Sequence, residues 1–396
     1  MTTLYIGQYT PGTTSYMRAN QLKTILKSLN KDTLRSSTLN PSALNSSTFK
    51  PSTFTFHTID THIPFHQTPR LWRSLGFRFK RGPLIKKLNR YIIDQLNQLL
   101  NPSTLKPQTP NPEPYTLNPK PQYPAPQTPN PKPFNLIWID KAIFLTPKTT
   151  AYLSRLADKL VHFTPDPAFT FHKSHLFRQS LNLYDYAVTT KAYELKNFEQ
   201  YLNADKVIYA TQGFDTDLHK PLTPFEHKKA GVLFIGHHEK EREEVLQKLI
   251  DEDIAVCIAG IKWQSFADKN KTKTKFKYLG NGIYGKDYVK TLSAYQFSWG
   301  SVSKWIPELH TTRTFEIPAC GTALITERNN ETSSFFKDDE AIFYDSLDDM
   351  IEKIRYYQNH PQELQQLTQK GTQRVHNDGR DYESILRKVL QQIGML

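Results

Sequence analysis

The residues best arranged for chemistry lie between Pro307 and Glu327, in the run PELHTTRTFEIPACGTALITE. Glu308 and Glu316 stand there with seven residues between them. The pattern predicts a helix over Thr311–Cys320, leading through Gly321 into a strand. A glutamate one turn into a helix at the carboxyl edge of a sheet can accept both hydroxyls of a ribose. The backbone N–H groups of Thr311 and Thr312 would face a diphosphate, with the positive end of the helix dipole behind them. Arg313 adds a fixed cation able to hold phosphate oxygens in two directions. An ordinary helix with glutamates near its first turn has the same letters, so the surrounding elements must decide.

A second group sits in the first half of the chain. Asp140 and Lys141 follow the apolar run FNLIWI and should end a strand at the edge where open parallel sheets keep their reactive groups. Asp140 is a candidate general base on an acceptor hydroxyl, and Lys141 a candidate cation for the leaving phosphate. Asp166 is the alternative base. A salt bridge that only orders the crevice explains the Asp140–Lys141 pair equally well. Gly12, Thr13 and Thr14 lie in the loop after the first strand and should face the same edge. The histidines, His162, His172, His175, His237 and His238 among them, have no spacing that demands a metal, and no Asp-x-Asp signature is present. The phosphate charge is therefore expected to meet arginine, lysine and helix dipole, with no metal and no cofactor. Gly280-Asn-Gly282-Ile-Tyr-Gly285 matches a dinucleotide fingerprint by letters, but it stands deep in the second half and outside any first strand–helix–strand unit.

The elements that must position these residues alternate. Thr3–Tyr9 reads as a strand, Tyr16–Leu29 as a helix, and Phe134–Ile139, Lys159–Phe163, Tyr186–Thr189 and Lys206–Tyr209 as further strands. Beyond Gly213 strands are expected at Gly231–Gly236, Ile254–Gly260, Phe276–Leu279, Gln296–Ser298, Ala323–Thr326 and Ala341–Tyr344. Helices fall at Lys240–Glu252, Asp287–Ala294, Leu347–Asn359 and Pro361–Asn377. This alternation implies two doubly wound parallel sheets, residues 1–212 and 213–396, with ligands held in a cleft between their carboxyl edges and the last helix packing back on the first domain.

Two stretches do not fit a packed core. Residues 33–56 are rich in Ser, Thr, Asn and Pro, and residues 101–133 hold 12 of the chain's 26 prolines, with Pro-Gln-Thr-Pro-Asn-Pro at 107–112 repeated at 126–131. Prolines at this density remove backbone donors and fix extended conformations, so both read as surface insertions. The net charge of +13 is uneven: residues 1–212 carry 26 Lys+Arg against 11 Asp+Glu, the remainder 25 against 27. Much of the excess lies in Arg70–Arg90, which reads as a solvated helical face with a loop. A membrane surface, an acidic polymer or a nucleic acid would each suit such a half, but nucleic acid is not the expected partner. Two distant cysteines exclude a disulfide framework, and no apolar run is long enough to span a bilayer. With no signal-peptide pattern in Met1–Tyr9, a cytoplasmic address is expected, with peripheral membrane contact left open.

Placed in order, these segments resemble the CgeB-like (spore-maturation-type) glycosyltransferases, relatives of the family-4-type group with the GT-B fold. The likeness runs through LIWIDKAIFL (136–145), HFTPD (162–166), YDYAVTTK (184–191), QGFDTDLHKP (212–221), VLFIGHHEKER (232–242) and TRTFEIPACG (312–321). It implies a GT-B-like α/β fold and transfer of a sugar from a nucleoside-diphosphate donor to a hydroxyl acceptor. It also implies that Glu316 holds the donor ribose, Glu308 the transferred sugar, and Thr311, Thr312 and Arg313 the diphosphate, with the Gly236 loop close by. Arg242 either helps at the phosphates or only starts its helix. Tyr284 and Tyr288 flank a loop where the base would stack, or pack without contact to it. A non-catalytic glycan- or nucleotide-binding protein and a nucleotide-sugar epimerase fit the same fold.

Overall fold

The computed structural model describes residues 1–38, 53–101 and 131–396, and divides into two compact units: Met1–Ala210 with Val389–Leu396, and Thr211–Lys388. Most of both low-complexity stretches, residues 39–52 and 102–130, lies outside the described residues. Residues 33–38 and 55–56, read as insertion from composition, belong instead to a helix and a strand.

The first unit is built on a parallel sheet of β1 (Thr2–Gly7), β2 (Thr55–Asp60), β3 (Phe134–Asp140), β4 (Ala157–Thr164), β5 (Tyr186–Thr189) and β6 (Val207–Tyr209), in the order β2-β1-β3-β4-β5-β6. Alternate residues of these strands point to opposite faces, so each run must be apolar throughout to bury both. On one face Leu4, Ile6, Ile137, Ile139 and Leu160 pack with Leu88, Ile92 and Leu96 of the helix Pro83–Leu100. On the other lie Tyr5, Trp138 and Phe163, and the helix Thr14–Thr38 sends Arg18 down among them. The Arg18 guanidinium stands 4.6 Å over the Phe163 ring and donates to Asp140 Oδ2 through Nη2 at 2.7 Å and Nε at 3.2 Å. The Tyr5 hydroxyl donates to the same oxygen at 2.9 Å. This buried ion pair ties the ends of β1 and β3 to the first helix.

The second unit repeats the plan with β7 (Lys229–Ile235), β8 (Val256–Ala259), β9 (Phe276–Tyr278), β10 (Tyr295–Trp299), β11 (Ala323–Glu327) and β12 (Ile342–Tyr344), in the order β12-β11-β10-β7-β8-β9. Val232, Phe234, Val256 and Ile258 enter one core cluster and Leu233, Ile235, Cys257 and Ala259 the other, so the sheet is covered on both faces. All strand pairs in both sheets are parallel, and each sheet reverses its direction of growth once, between β1 and β3 and between β7 and β10. At such a reversal the following loops part to opposite faces and leave a crevice at the carboxyl ends. Most ends of elements differ from the sequence expectations by a few residues, but the first helix runs on from the expected Leu29 to Thr38. One strand, β2, was not expected, and the helices Gln264–Asn270 and Thr332–Phe335 were also missed. Among the described residues, no helix is long and apolar enough to cross a membrane.

Two predictions follow from the first unit's core. His162 is buried on β4 against Phe177 and Tyr184, and burial pushes its imidazole down to about 3. The unfolded chain then takes up a proton below about pH 6.5 while the folded chain does not, so stability is lost as pH falls from there. The loss is about 2 kcal/mol at pH 5 from this group. Melting at pH 7 and pH 5 should show a smaller drop for H162L than for the parent chain. Breaking the Arg18–Asp140 pair with D140N should cost roughly 3–5 kcal/mol in denaturant midpoints, and the double variant R18M/D140L should recover part of it, because both charges then leave the core together.

Candidate functional site

The crevice of the second unit is lined by the loops after β7 and β10. The chain leaving β7 passes Gly236, whose carbonyl accepts from Trp263 Nε1 at 2.8 Å, and runs against Gly260 at the end of β8. Gly260 has φ +148°, and a Cβ there would sit 1.8 Å from the Gly236 carbonyl oxygen, so only glycine fits. Gly236 itself is tight for a local reason: a Cβ would meet its neighbour Phe234's ring at 2.7 Å. From the helix Lys240–Asp251, Arg242 turns back under this loop. Its guanidinium pairs with Glu239 at 2.8 Å and donates to the His237 carbonyl at 3.1 Å and to Ser301 Oγ, in the loop after β10, at 3.2 Å. Arg242 therefore does more than start a helix: it stitches together the two loops that flank the reversal.

Arg313 adds a second cation. It has no ion pair among the described residues, and its Nε is buried without a hydrogen-bond partner. Burial, then Arg313, pull Arg242 down to about 10, against the opposing effects of Glu239, Glu308 and Glu241. The His237 imidazole is lowered by burial and by both arginines. Two guanidinium groups and an imidazole thus meet in one region, where Arg242 is answered by Glu239 while Arg313 has no ion pair among the described residues and is the cation left to meet an anion.

The helix after this loop is shorter than expected, Arg313–Ala319, with Pro318 inside it. Thr311 is not open as expected: its N–H donates to Thr314 Oγ1 at 3.1 Å. Its own Oγ1 is buried without a partner, and the amides of Thr312 and Arg313 bond to nothing among the described residues. His310 holds this turn from behind, with Nδ1 2.5 Å from Glu331 and Nε2 accepting from the Gln212 amide at 3.1 Å. Glu308 is half-buried on the approach.

Glu316 is only 5 % exposed. Its Oε2 accepts from the Tyr288 hydroxyl at 2.7 Å, and its Oε1 lies 3.7 Å from His219 Nε2, itself buried with no hydrogen-bond partner. The Asp215 amide donates to His219 Nδ1 at 3.0 Å, which directs the ring's other nitrogen at the carboxylate. The glutamate is thus more enclosed than an open ribose-binding carboxylate, with one oxygen fixed and the other facing a donor just beyond bonding distance. Tyr288 is a partner of Glu316 and not a stacking platform; burial and that carboxylate hold its hydroxyl well above the usual tyrosine range. Tyr284 is exposed at the start of the helix Gly285–Ser293. The Gly280–Gly285 stretch follows β9, the outermost strand of the sheet, where a dinucleotide fingerprint would follow the central one.

In the first unit the Asp140–Lys141 pair separates. Asp140 is consumed by Arg18 and Tyr5, which removes it as a free base. Lys141, in a left-handed conformation at φ 64°, forms its ion pair with Asp166 at the end of β4. His172 Nε2 stands 3.7 Å from the same carboxylate, and its Nδ1 is buried without a partner. Burial raises the Asp166 carboxyl, but Lys141 and His172 outweigh it and keep it below the usual range, while burial and Lys141 push His172 down to about 4. Gly12 has φ +85°, and Thr13 caps the first helix, its Oγ1 accepting from the Tyr16 amide at 3.3 Å. Arg18, Tyr5, His172, His219 and His310 were not singled out by sequence as partners of these groups; each lies far along the chain or carries no local signature. Among the described residues no group of three or more His, Cys, Asp or Glu side chains gathers as metal ligands would.

Residues 240–391 match a family model described as glycosyl transferase-like. No curated protein sequence matches the chain. Among solved structures, Anabaena HepE in complex with UDP-glucose is similar at a TM-score of 0.57 and 12 % identity, covering 100 % of both chains. A glycosyltransferase from Rickettsia africae gives 0.58 and 11 %, over 98 % of this chain and 97 % of that one. The α,α-trehalose 6-phosphate synthase of Burkholderia multivorans gives 0.53 and 12 %, over 86 % and 85 %. The second unit thus resembles that family model over residues 240–391, and the two parallel sheets share the GT-B fold of these solved structures.

Proposed function

We propose that this protein transfers a sugar, of the hexose type, from a nucleoside-diphosphate donor to a hydroxyl acceptor, and that within its fold it is of the CgeB-like kind. The observation that carries the reading is the pair Arg242 and Arg313 at the strand-order reversal of the second unit, the first buried and paired with Glu239, the second half-buried with its Nε unbonded and no ion pair among the described residues. A diphosphate supplies that charge without a metal, and the unbonded amides of Thr312 and Arg313 add donors to it. Thr311 contributes its hydroxyl. The Glu316 oxygen facing His219 takes a ribose hydroxyl, with Tyr288 holding the carboxylate in place, and Glu308 faces the transferred sugar. UDP and UDP-glucose bound to HepE make uridine the first base to try.

On the acceptor side we assign Asp166 as the proton acceptor and Lys141 as the cation beside it, with the Gly12–Thr14 loop on the same sheet edge. Asp140 acts as a positioning residue through Arg18. The coordination of Asp166 by Lys141 keeps it ionised at neutral pH, which is the state a base needs.

A thermal-shift screen against uridine, guanosine, thymidine and cytidine diphosphates tests the donor site. One of them, at a hundredfold excess over its Kd, should stabilise the chain by about 2.7 kcal/mol. R313M should abolish the shift, and E316A should remove most of it; a shift untouched by both would overturn the assignment. Y288F should leave folding intact and raise the donor KM by roughly 3- to 10-fold, about the net worth of one ordinary hydrogen bond, since the tyrosine acts through the Glu316 carboxylate. D166N should lower kcat by roughly 100-fold or more with the diphosphate shift preserved. A chain that binds the diphosphate but releases and transfers no sugar would favour a binding protein over an enzyme.

A further inference from the structure

One helix of the first unit wears its apolar face outward. The helix Arg70–Phe79 places Leu71, Leu75 and Phe79 at successive fourth positions, with Trp72 beside them, so all four share one side. A surface helix normally turns such a stripe to the core. Here Leu71 is 66 % exposed, Phe79 54 % and Trp72 44 %, and only Leu75 is half-buried. What faces the protein is a different side. Gly76 is the helix's buried residue, pressed so closely on the helix Pro83–Leu100 that a Cβ would lie 2.8 Å from Leu84. Phe77, next to it, packs edge-on to Phe144 and His172. The close approach through a glycine fixes which side looks out.

The rim of this stripe is cationic. Residues 61–93 contain eight Lys and Arg and no Asp or Glu. Arg70, Arg78 and Arg81 are exposed and make no ion pair among the described residues, and the Arg78 guanidinium leans over the Phe79 ring at 5.3 Å. Ile63 is also exposed, on the preceding short helix His62–His66.

We propose that this helix lies in the headgroup region of an anionic lipid bilayer, with Leu71, Trp72 and Phe79 entering the acyl boundary and Arg70, Arg78 and Arg81 meeting lipid phosphates. The occupant follows from the chemistry of the face. Large apolar side chains interleaved with unpaired arginines, with an indole at the border, match an interface that is apolar below and anionic above. A nucleic acid would use the arginines and leave the leucine and phenylalanine in water. The inference stands apart from the donor-site reading, since it concerns one surface of the first unit.

Flotation of the full chain with phosphatidylcholine vesicles, with and without phosphatidylglycerol, tests it. The protein should float with the anionic vesicles, less as salt rises, and stay behind with the neutral ones. L71S/W72S/F79S should weaken flotation by roughly tenfold or more, and R70Q/R78Q/R81Q likewise, while both keep the parent's melting temperature and its diphosphate-induced shift; the altered side chains are exposed, so folding should hold. Loss of the diphosphate shift without loss of flotation would sink the donor site and leave this inference standing. Equal flotation on neutral vesicles, no flotation at all, or tighter binding to a DNA duplex that is indifferent to the apolar triple substitution would each overturn it.

Discussion

Parallel strands joined by crossovers of one hand can grow a sheet outward in only one direction until a connection carries the chain back past its starting strand. Each sheet does this once, at β1/β3 and at β7/β10, and that single reversal decides where everything reactive can stand. Strands pair through every backbone group along their length, so the only amides left over near the sheet's centre are those of the loops that part at the reversal. In the second unit those loops bring Arg242, Thr312 and Arg313 to one place; in the first they bring the Gly12 loop and Lys141 to another.

The two places are held by opposite electrostatic logic. Around Asp140 every charge is answered: one carboxylate, one guanidinium and one phenol, buried and mutually bonded. Such a cluster specifies geometry. Around Arg313 the account stays open, with a guanidinium nitrogen buried and unbonded and a neighbouring arginine depressed by its presence. Another molecule carrying negative charge would correct that imbalance. Which of two similar-looking charged residues is structural and which functional is therefore decided by the completeness of its partners.

Much of this was legible in the sequence where the signal is local. Runs such as GVLFIG and FNLIWI are apolar on both faces and could be little else than central parallel strands, and the helices Leu347–Asn359 and Pro361–Asn377 are bounded by a serine cap and a proline that mark their starts. β2 was hidden because it is an edge strand in which only Ile59 is fully buried, so TFHTID shows neither an apolar run nor a clean alternation. The partners of the charged groups were hidden for another reason. Arg18 and Asp140 are 122 residues apart, and Tyr288 and Glu316 are 28 apart, so nothing in either neighbourhood announces the other. Asp140 next to Lys141 looked like a pair because adjacency is the only proximity a sequence displays; Lys141 stands just past the strand in a left-handed conformation and pairs with Asp166.

The repetitive segments have a place in this scheme as well. One joins the first helix to the start of β2, and the other joins the helix Pro83–Leu100 to the start of β3, so each enters the sheet at the end remote from the loops that carry the charged groups. A change of length in a connection at that amino end leaves the opposite, carboxyl edge of the first sheet, with the Gly12 loop and Lys141, where it is.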